Sequence, residues 1–238
     1  MATLNIADLT ERFPGYRVAV VIGRALTVAA ARDPAADAFV TAIETAASAE
    51  WGERPVSEIP EVQAWRRAYK GFGIRKTSYR PSVERLFRSL QRHGALPRVN
   101  CLVDLYNALS IKHRVPAGAD DLDRVTPPLA FRFARPGDTF IALGDAEARN
   151  DPPKDGEVVY ADAEKVLCRR WNWYQDARSP ITPDTTAAVL TLQAIDTPAC
   201  DRLEDAAAEL MELMGAHCGG RMAAAVADRR TPEVTLSV

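Results

Sequence analysis

The hydrophobic pattern of this chain changes near Leu129, and that change limits the fold class. Before it, apolar residues recur at helical spacing, as Val83, Leu86 and Leu90 do. After it, short β-prone runs alternate with turn residues such as the sequence RPGD at 135–138. Helices that come mainly first and strands that come mainly later indicate an α+β fold. We therefore expect mixed or antiparallel sheets with helices packed around them, in a single compact domain spanning residues 1–238.

The end signals and apolar spacing predict five helices. Asp33-Pro34 is typical of an N-cap followed by proline in the first turn, so a helix should run from there to Trp51. The other four are predicted over residues 61–70, 82–92, 100–112 and 201–217. Strands are predicted over residues 16–22, 129–133, 139–143, 157–162, 166–173, 187–195 and 233–238. The segment VPAGADDLDR, residues 115–124, is interpreted as a solvated turn with helix-capping aspartates.

The sequence CRRWNWYQD, residues 168–176, does not alternate as an ordinary strand does. In an extended chain Arg169, Trp171 and Trp173 would share one face, so neither face is simply apolar. Tryptophan and arginine are common both as packing residues and as ligand contacts. Two interpretations therefore stay open: an edge strand whose tryptophans cover a core, or one wall of a ligand site.

Basic residues are concentrated between Trp65 and Arg98. The chain has 30 Lys and Arg against 32 Asp and Glu, but this window holds ten basic residues and one acid, Glu84, which leaves 20 against 31 elsewhere. Aromatic residues such as Tyr69 and Tyr79 are interleaved with the charges as candidates for base stacking. This composition is typical of a surface that contacts nucleic-acid phosphates, and the alternative is a solvated basic surface.

The remaining composition favours a protein of the cytoplasm without membrane contact. No apolar run approaches the roughly 20 residues that a spanning helix needs, and Asp8 and Glu11 come too early for a secretory signal. The four cysteines are widely spaced, without a C-x-x-C or a nearby histidine pair. We therefore expect no metal site and no disulfide. No phosphate-binding glycine loop or nucleophile elbow is found, and no cofactor is expected.

Two polar residues stand out in the predicted helix at 100–112. Its sequence, NCLVDLYNALSIK, is apolar nearly all round, so Asp104 and Asn107 should be buried one turn apart. Buried polar groups need partners. The pair therefore either ties down a neighbouring loop or lines a polar pocket.

From the third helix to about residue 195 the chain resembles the editing domain of the bacterial phenylalanyl-tRNA synthetase beta chain. In that family a helix with the pattern V-V-D-x-T-N-Y precedes a loop reading G-Q-P-M-H-A-F-D, and the counterparts here are LVDLYN at 102–107 and VPAGADD at 115–121. The resemblance continues through RPGDTFIAL, EVVYAD and VLCRRWNW. It is strongest over residues 99–195, while the basic helical region at 65–98, expected to face tRNA, looks like the stand-alone members of the family.

The resemblance implies hydrolysis of the ester that joins a wrong amino acid to the end of a tRNA, in trans. In such a mechanism water is placed against the ester carbonyl and the developing oxyanion is stabilised, so no nucleophilic side chain is needed. Asn107 matches the pocket asparagine of the family, and Asp104 matches its aspartate. We expect both to belong to the catalytic site.

The sequence departs from the family pattern at two places. The family's loop histidine falls at Gly118, and the glycine-rich segment with its specificity glutamate is replaced by WNWYQD at 171–176, so that Asp176 falls near the glutamate. We expect Asp176 to join the catalytic set, and the substrate-binding set to comprise Gly118, Asp120, Arg169, Arg170, Trp171, Asn172, Trp173 and Tyr174. The aromatic residues would stack on a base or a flat cation, Arg169 and Arg170 would meet phosphate or ribose, and Asn172 and Asp176 would bind the amino-acid side chain.

The implied partner is a mischarged tRNA, with an aminoacyl-tRNA synthetase as a second one. The residues expected to contact tRNA are Arg75, Lys76, Arg80, Arg85, Arg88 and Arg92. The first candidate substrate is tRNA carrying an arginine analogue such as canavanine, since an aromatic and acidic pocket suits a guanidinium-like group. A non-catalytic tRNA- or synthetase-binding module and a hydrolase of small free esters remain alternatives.

Overall fold

Two β-sheets organise the protein, and each combines strands from distant parts of the chain. The computed structural model describes residues 2–76 and 78–238. The strands are β1 (Ala2–Asn5), β2 (Tyr16–Arg24), β3 (Ala117–Asp121), β4 (Leu129–Phe133), β5 (Val158–Ala161), β6 (Val166–Arg169), β7 (Tyr174–Gln175), β8 (Ala187–Ile195), β9 (Arg221–Ala227) and β10 (Glu233–Leu236). The larger sheet has the order β10-β1-β4-β5-β6-β7 and the smaller one β3-β8-β2-β9. The β1–β4 pair is parallel, and the other pairs are antiparallel.

The helices follow the end signals of the sequence. They are α1 (Ala7–Thr10), α2 (Pro34–Trp51), α3 (Pro60–Gly71), α4 (Ser82–His93), α5 (Cys101–His113) and α6 (Leu203–His217), with short 3₁₀ turns at Val56–Glu58, Leu122–Arg124 and Pro198–Arg202. The Asp33 side chain accepts hydrogen bonds from the first free amides of α2, and Asn100 caps α5 in the same way. Gly94 ends α4 in the left-handed conformation, at a φ of 71°.

The core lies on both faces of the smaller sheet. Successive residues of a strand point to opposite faces, so Val18 and Val20 of β2 join one apolar cluster with Trp65. Ala19 and Val21 join a second cluster that α5 and α6 cover. The predicted α+β class is therefore confirmed: helices pack around mixed and antiparallel sheets in one compact unit.

Strands β1 and β9 were not predicted from the sequence, and the strand predictions were wrong in three further places. Residues 139–143 form isolated bridges at Ile141 and Ala142 in place of a strand. The segment 166–173 is not one strand, because the chain turns after Arg169 with φ values of 48° at Arg170 and 69° at Trp171 and returns as β7. Residues 117–121 form the buried edge strand β3 in place of a solvated turn, and Asp120 and Asp121 are both buried.

Among the described residues, no helix is both long enough and apolar enough to cross a membrane.

Candidate functional site

A cavity of about 340 Å³ opens where α4 and α5 meet β3 and the β6–β7 turn. The residues predicted for substrate binding or catalysis that line it are Asn107, Gly118, Asp120, Trp171, Asn172, Trp173 and Tyr174. We call this space the first cavity. The asparagine-bearing helix and the tryptophan-rich segment, which are far apart in sequence, thus lie on two sides of one cleft.

The Asn107 amide is one of the polar groups of the first cavity that have no hydrogen-bond partner in the described part of the chain. Asn107 is half-buried on a helix whose other residues are mostly buried. Within residues 2–76 and 78–238, its side chain makes no hydrogen bond. An amide can donate two hydrogen bonds and accept two, so Asn107 is free to bind a ligand in both ways.

Asp120 supplies a carboxylate to the same space. It is buried on β3, where its Oδ1 accepts hydrogen bonds from Ser179 Oγ at 2.7 Å and from Gln175 Nε2 at 3.2 Å. Burial outweighs these hydrogen bonds and raises the pKa of Asp120 to about 7. The side chain therefore changes charge near neutral pH, which is unusual for an aspartate and common at functional sites.

The remaining wall contains residues that the sequence analysis missed. Tyr160 of β5 lines the first cavity, and its buried hydroxyl has no hydrogen-bond partner in the described part of the chain. Gln193 of β8 also lines it and accepts from Tyr16 Oη and Asn172 Nδ2, each at 3.3 Å. Long-range strand pairing brings both residues to the site, so no local sequence signal could have indicated them.

The two tryptophans of the turn have different surroundings. Trp171 is fully buried, and its ring lies 4.8 Å from the rings of Phe13 and Tyr16 and 5.2 Å from that of Trp65, measured between centroids. It is mainly a core residue with one side toward the first cavity. Trp173 is half-buried and packs its ring 5.1 Å from that of Tyr174. Of the two interpretations left open by the sequence, packing thus describes Trp171, while Trp173 lies in the wall of the first cavity.

Asn172 holds this wall in place. Its side-chain oxygen accepts from Tyr69 Oη at 2.9 Å, and its nitrogen donates to Gln193. These bonds join the turn to α3 and β8. Asn172 therefore lines the first cavity with an amide that is already hydrogen-bonded, unlike Asn107.

The two arginines of the turn lie outside the first cavity. Arg169 donates from Nε and Nη2 to the Glu157 carboxylate, both at 2.9 Å, and from Nη1 to Asp151 at 2.6 Å. Arg170 extends to another side of the turn, where its guanidinium lies over the rings of Tyr79 and Trp173. The placement of Arg169 corrects its expected contact with phosphate or ribose, because its hydrogen-bond donors are used inside the protein.

Asp104 and Asp176 also lie outside the first cavity. Asp104 Oδ1 accepts from the Val99 amide at 2.8 Å and its Oδ2 lies 3.7 Å from Arg32 Nη1, so it ties down the loop before α5. Burial raises the pKa of Asp104 in spite of these partners. Asp176 is fully buried and binds Arg178 and the Ile141 amide, all at 2.8 Å. We therefore leave both aspartates out of the site proposed below.

The residues expected to contact tRNA do not form a single row. Arg80 and Arg88 lie 3.1 and 2.9 Å from the buried Glu84 carboxylate, which Arg66 also binds. Burial alone would raise the pKa of Glu84, but the hydrogen bonds from Arg66 and Arg88 lower it below its usual value. Arg85 lines the first cavity and donates to the Trp173 carbonyl at 2.7 Å. Arg75, Lys76 and Arg92 are exposed.

No three His, Cys, Asp or Glu side chains of residues 2–76 and 78–238 are arranged to hold a metal ion. The polar groups of the first cavity are amides, hydroxyls, the Cys168 thiol, the Arg85 guanidinium and the Asp120 carboxylate, which suit an organic ligand bound by hydrogen bonds.

Comparison with known proteins identifies a family and similar solved structures. Residues 64–210 match the family described as the B3/4 domain, and this segment contains every residue that lines the first cavity. A solved N-terminal fragment of the phenylalanyl-tRNA synthetase beta subunit from Pyrococcus horikoshii is similar with a TM-score of 0.46 and 13% identity, over 93% of this chain and 50% of that one. The chain thus spans about half the length of that fragment. No curated protein matches the chain.

Proposed function

The chain belongs to the B3/4 domain family, and on that premise we propose that it is a trans-acting aminoacyl-tRNA deacylase. The reaction is hydrolysis: a water oxygen bonds to the ester carbonyl carbon and the bond from that carbon to the ribose oxygen breaks. One water proton ends on the ribose oxygen, and the amino acid leaves as a carboxylate with release of the other proton.

One observation carries the proposal: an amide without internal partners lines a cavity that also holds a buried carboxylate. The Asn107 amide can donate to the ester carbonyl oxygen as negative charge develops there. A fixed donor of this kind accelerates acyl transfer by about 10²–10³-fold. Water can complete the reaction without a nucleophilic side chain, in agreement with the pKa of Cys168, which burial raises to about 12.

Asp120 and the aromatic wall support a cationic amino acid as the part that is recognised. An ionised Asp120 would pair with an ammonium or guanidinium-like group, while Trp173 and Tyr174 offer ring faces to a flat cation. The candidate substrate is therefore tRNA charged with an arginine analogue such as canavanine. Rejection of arginine itself requires a polar group of the pocket that a bound arginine would leave unpaired and its analogue would not.

The test is a screen of tRNAs charged with different amino acids, each incubated with the purified protein. We expect release of the amino acid from at least one mischarged tRNA and retention of arginine on its own tRNA. Asn107→Ala should abolish most of that release. If every charged tRNA keeps its amino acid at the uncatalysed rate, the proposed activity is wrong.

A second candidate is a non-catalytic module that binds tRNA or a synthetase. The position of Asp104 and Asp176 outside the first cavity favours it, because two of the three residues expected to be catalytic are held inside the protein. Tight tRNA binding without hydrolysis in the same screen would select this function.

A further inference from the structure

A second cavity, of about 290 Å³, lies on the other side of the β6–β7 turn. Four of its lining residues are basic: Arg75, Lys76, Lys154 and Arg170. It also contains the carboxylates of Asp155 and Glu157. The first cavity, by contrast, contains the Asp120 carboxylate. The first cavity pairs this carboxylate with one guanidinium, that of Arg85, whereas basic groups outnumber acidic ones in the second cavity, which therefore suits an anionic ligand better.

Arg170 is the unsatisfied group of the second cavity. Its side chain is 5% exposed, and its Nε and Nη1 are buried without a hydrogen-bond partner in the described part of the chain. The nearest carboxylate oxygen, Glu157 Oε2, is 4.0 Å from Nε, and Arg169 already binds both oxygens of that carboxylate. A buried cation without hydrogen bonds is costly unless an anion completes the site.

The guanidinium of Arg170 is held in a fixed plane. Its central carbon lies 3.8 Å from the centroid of the Tyr79 ring and 4.3 Å from that of the Trp173 ring. The backbone of Arg170 has a φ of 48°, which a non-glycine residue adopts only when its surroundings require it. The planar donor group is thus oriented before a ligand arrives, as bidentate recognition of a phosphate requires.

We propose that the second cavity binds a phosphodiester group of the RNA strand whose end enters the first cavity. Trp173 separates the two spaces, since it lines the first cavity and packs against Arg170 in the wall of the second. A strand that crosses this ring places a sugar or base on one side and the preceding phosphate on the other. The identity of the strand as tRNA rests on the proposed function. The binding of a phosphate group by Arg170 does not.

The experiment measures phosphate and RNA binding without any ester hydrolysis. Inorganic phosphate is titrated against the full chain at constant ionic strength, and the shift in melting temperature is recorded. A short single-stranded RNA that carries no amino acid is then titrated, and its binding is followed by tryptophan fluorescence. The variants are Arg170→Gln, Arg170→Lys and the exposed Lys154→Gln. Arg54→Gln is the matched control, because Arg54 also stacks on a tryptophan, at 4.4 Å from the Trp51 ring centroid, and lines neither cavity.

We expect phosphate to stabilise the wild-type chain and the Arg54→Gln variant, and to stabilise Arg170→Gln much less. RNA affinity should fall by about tenfold or more in Arg170→Gln, by less in Arg170→Lys, and by up to about fivefold in Lys154→Gln. Unchanged phosphate and RNA binding in Arg170→Gln overturns the proposal, whatever the result for Lys154→Gln. Phosphate binding that RNA does not compete with overturns the assignment to a strand.

The result is independent of the deacylase assay. A protein that binds RNA through Arg170 but hydrolyses no aminoacyl-tRNA keeps this site and loses the proposed function. A protein that hydrolyses aminoacyl-tRNA equally well with and without Arg170, and binds RNA equally well, keeps the function and loses the site.

Discussion

The Glu157–Arg169 ion pair lies next to the first cavity, since Cys168 and Trp171 of the cavity wall lie on either side of Arg169 in the chain, but the two regions differ in how completely their polar groups are hydrogen-bonded. Arg169 makes four hydrogen bonds, two to the Glu157 carboxylate and two to Asp151. In the first cavity, the Asn107 amide and the Tyr160 hydroxyl have no partner among the described residues.

This contrast separates structural polar residues from candidate functional ones. Residue type does not, because Arg169 and Arg170 are neighbours of the same type with different partners. A buried group with all its partners stabilises the fold, while a buried group without them is costly unless a ligand satisfies it. The contrast predicts which variants should lose stability and which should lose function.

The largest expected effect is on stability, at Arg169. Arg169→Met leaves the Glu157 carboxylate buried without its partner, and breaking a buried pair in this way costs about 3–5 kcal/mol of unfolding free energy. Chemical denaturation followed by circular dichroism measures this loss. The double variant Arg169→Met, Glu157→Leu should recover only part of it, because both charges of the pair are removed but the buried Arg170 loses its nearest carboxylate. A loss below about 1 kcal/mol in the single variant contradicts the structural role of the pair.

The next effect is on activity, at Asn107. Asn107→Ala should reduce kcat/KM for hydrolysis of a mischarged tRNA by about 100-fold, because it removes a donor to the developing oxyanion. Its unfolding free energy should change by less than about 1 kcal/mol, because the amide makes no internal hydrogen bond.

Asn172→Ala is the matched control for this variant. Asn172 also lines the first cavity, but its amide is hydrogen-bonded to Tyr69 and Gln193. Its loss should cost about 1–3 kcal/mol of stability. If Asn107→Ala lowers stability more than Asn172→Ala does, the comparison of free and satisfied amides fails.

A smaller effect is expected on the pH dependence of ligand binding, through Asp120. Its pKa of about 7 means that the carboxylate becomes charged between about pH 6 and pH 8. The affinity for a cationic amino-acid analogue should therefore rise over this interval, by roughly tenfold for one ionic hydrogen bond. Calorimetric titration at several pH values measures the rise, and Asp120→Asn should flatten it. An equally steep rise in Asp120→Asn assigns the titration to another group.

The contribution of Asp120 to the stability of the folded chain should fall as the pH rises, whereas ligand affinity should rise. The pKa of Asp120 is raised in the folded chain from a usual value of 3.8 to about 7, so the folded state holds a proton that the unfolded state loses first. The contribution of Asp120 is therefore fully present below about pH 4 and is lost as the pH rises toward 7. Asp120→Asn should remove this part of the pH dependence.

The sequence predicts elements and residues whose signals are local. The N-cap Asp33 and the apolar strands β2 and β8 lie where their patterns indicate. Asn107 is visible because one amide interrupts an apolar helix. For residues 171–174 the composition left a core-covering strand and a ligand wall both open, and the structure is needed to separate them.

The parts that could not be predicted depend on long-range contacts. The turn at Arg170 and Trp171 has positive φ values without a glycine or asparagine at either position, so no turn signal marks it. Tyr160 and Gln193 enter the site through strand pairing. Glu84 is the single acid of the basic window, and the sequence gives it no special role. In the structure it binds three arginines.

The smallest effect extends the comparison to the surface, at Arg88 and Arg92 of α4. Arg88 is paired with Glu84, whereas Arg92 is exposed and has no ion-pair partner among residues 2–76 and 78–238. If α4 faces tRNA, Arg92→Gln should lower the slope of log affinity against log salt by about 0.7–0.9, the value for one phosphate contact. Arg88→Gln should change the slope less, because Glu84 already holds that guanidinium. Equal slopes in the wild type and Arg92→Gln would place the tRNA elsewhere. The exposed Arg149, which lies outside α4 and lines neither cavity, is the control, since Arg149→Gln should leave the slope unchanged.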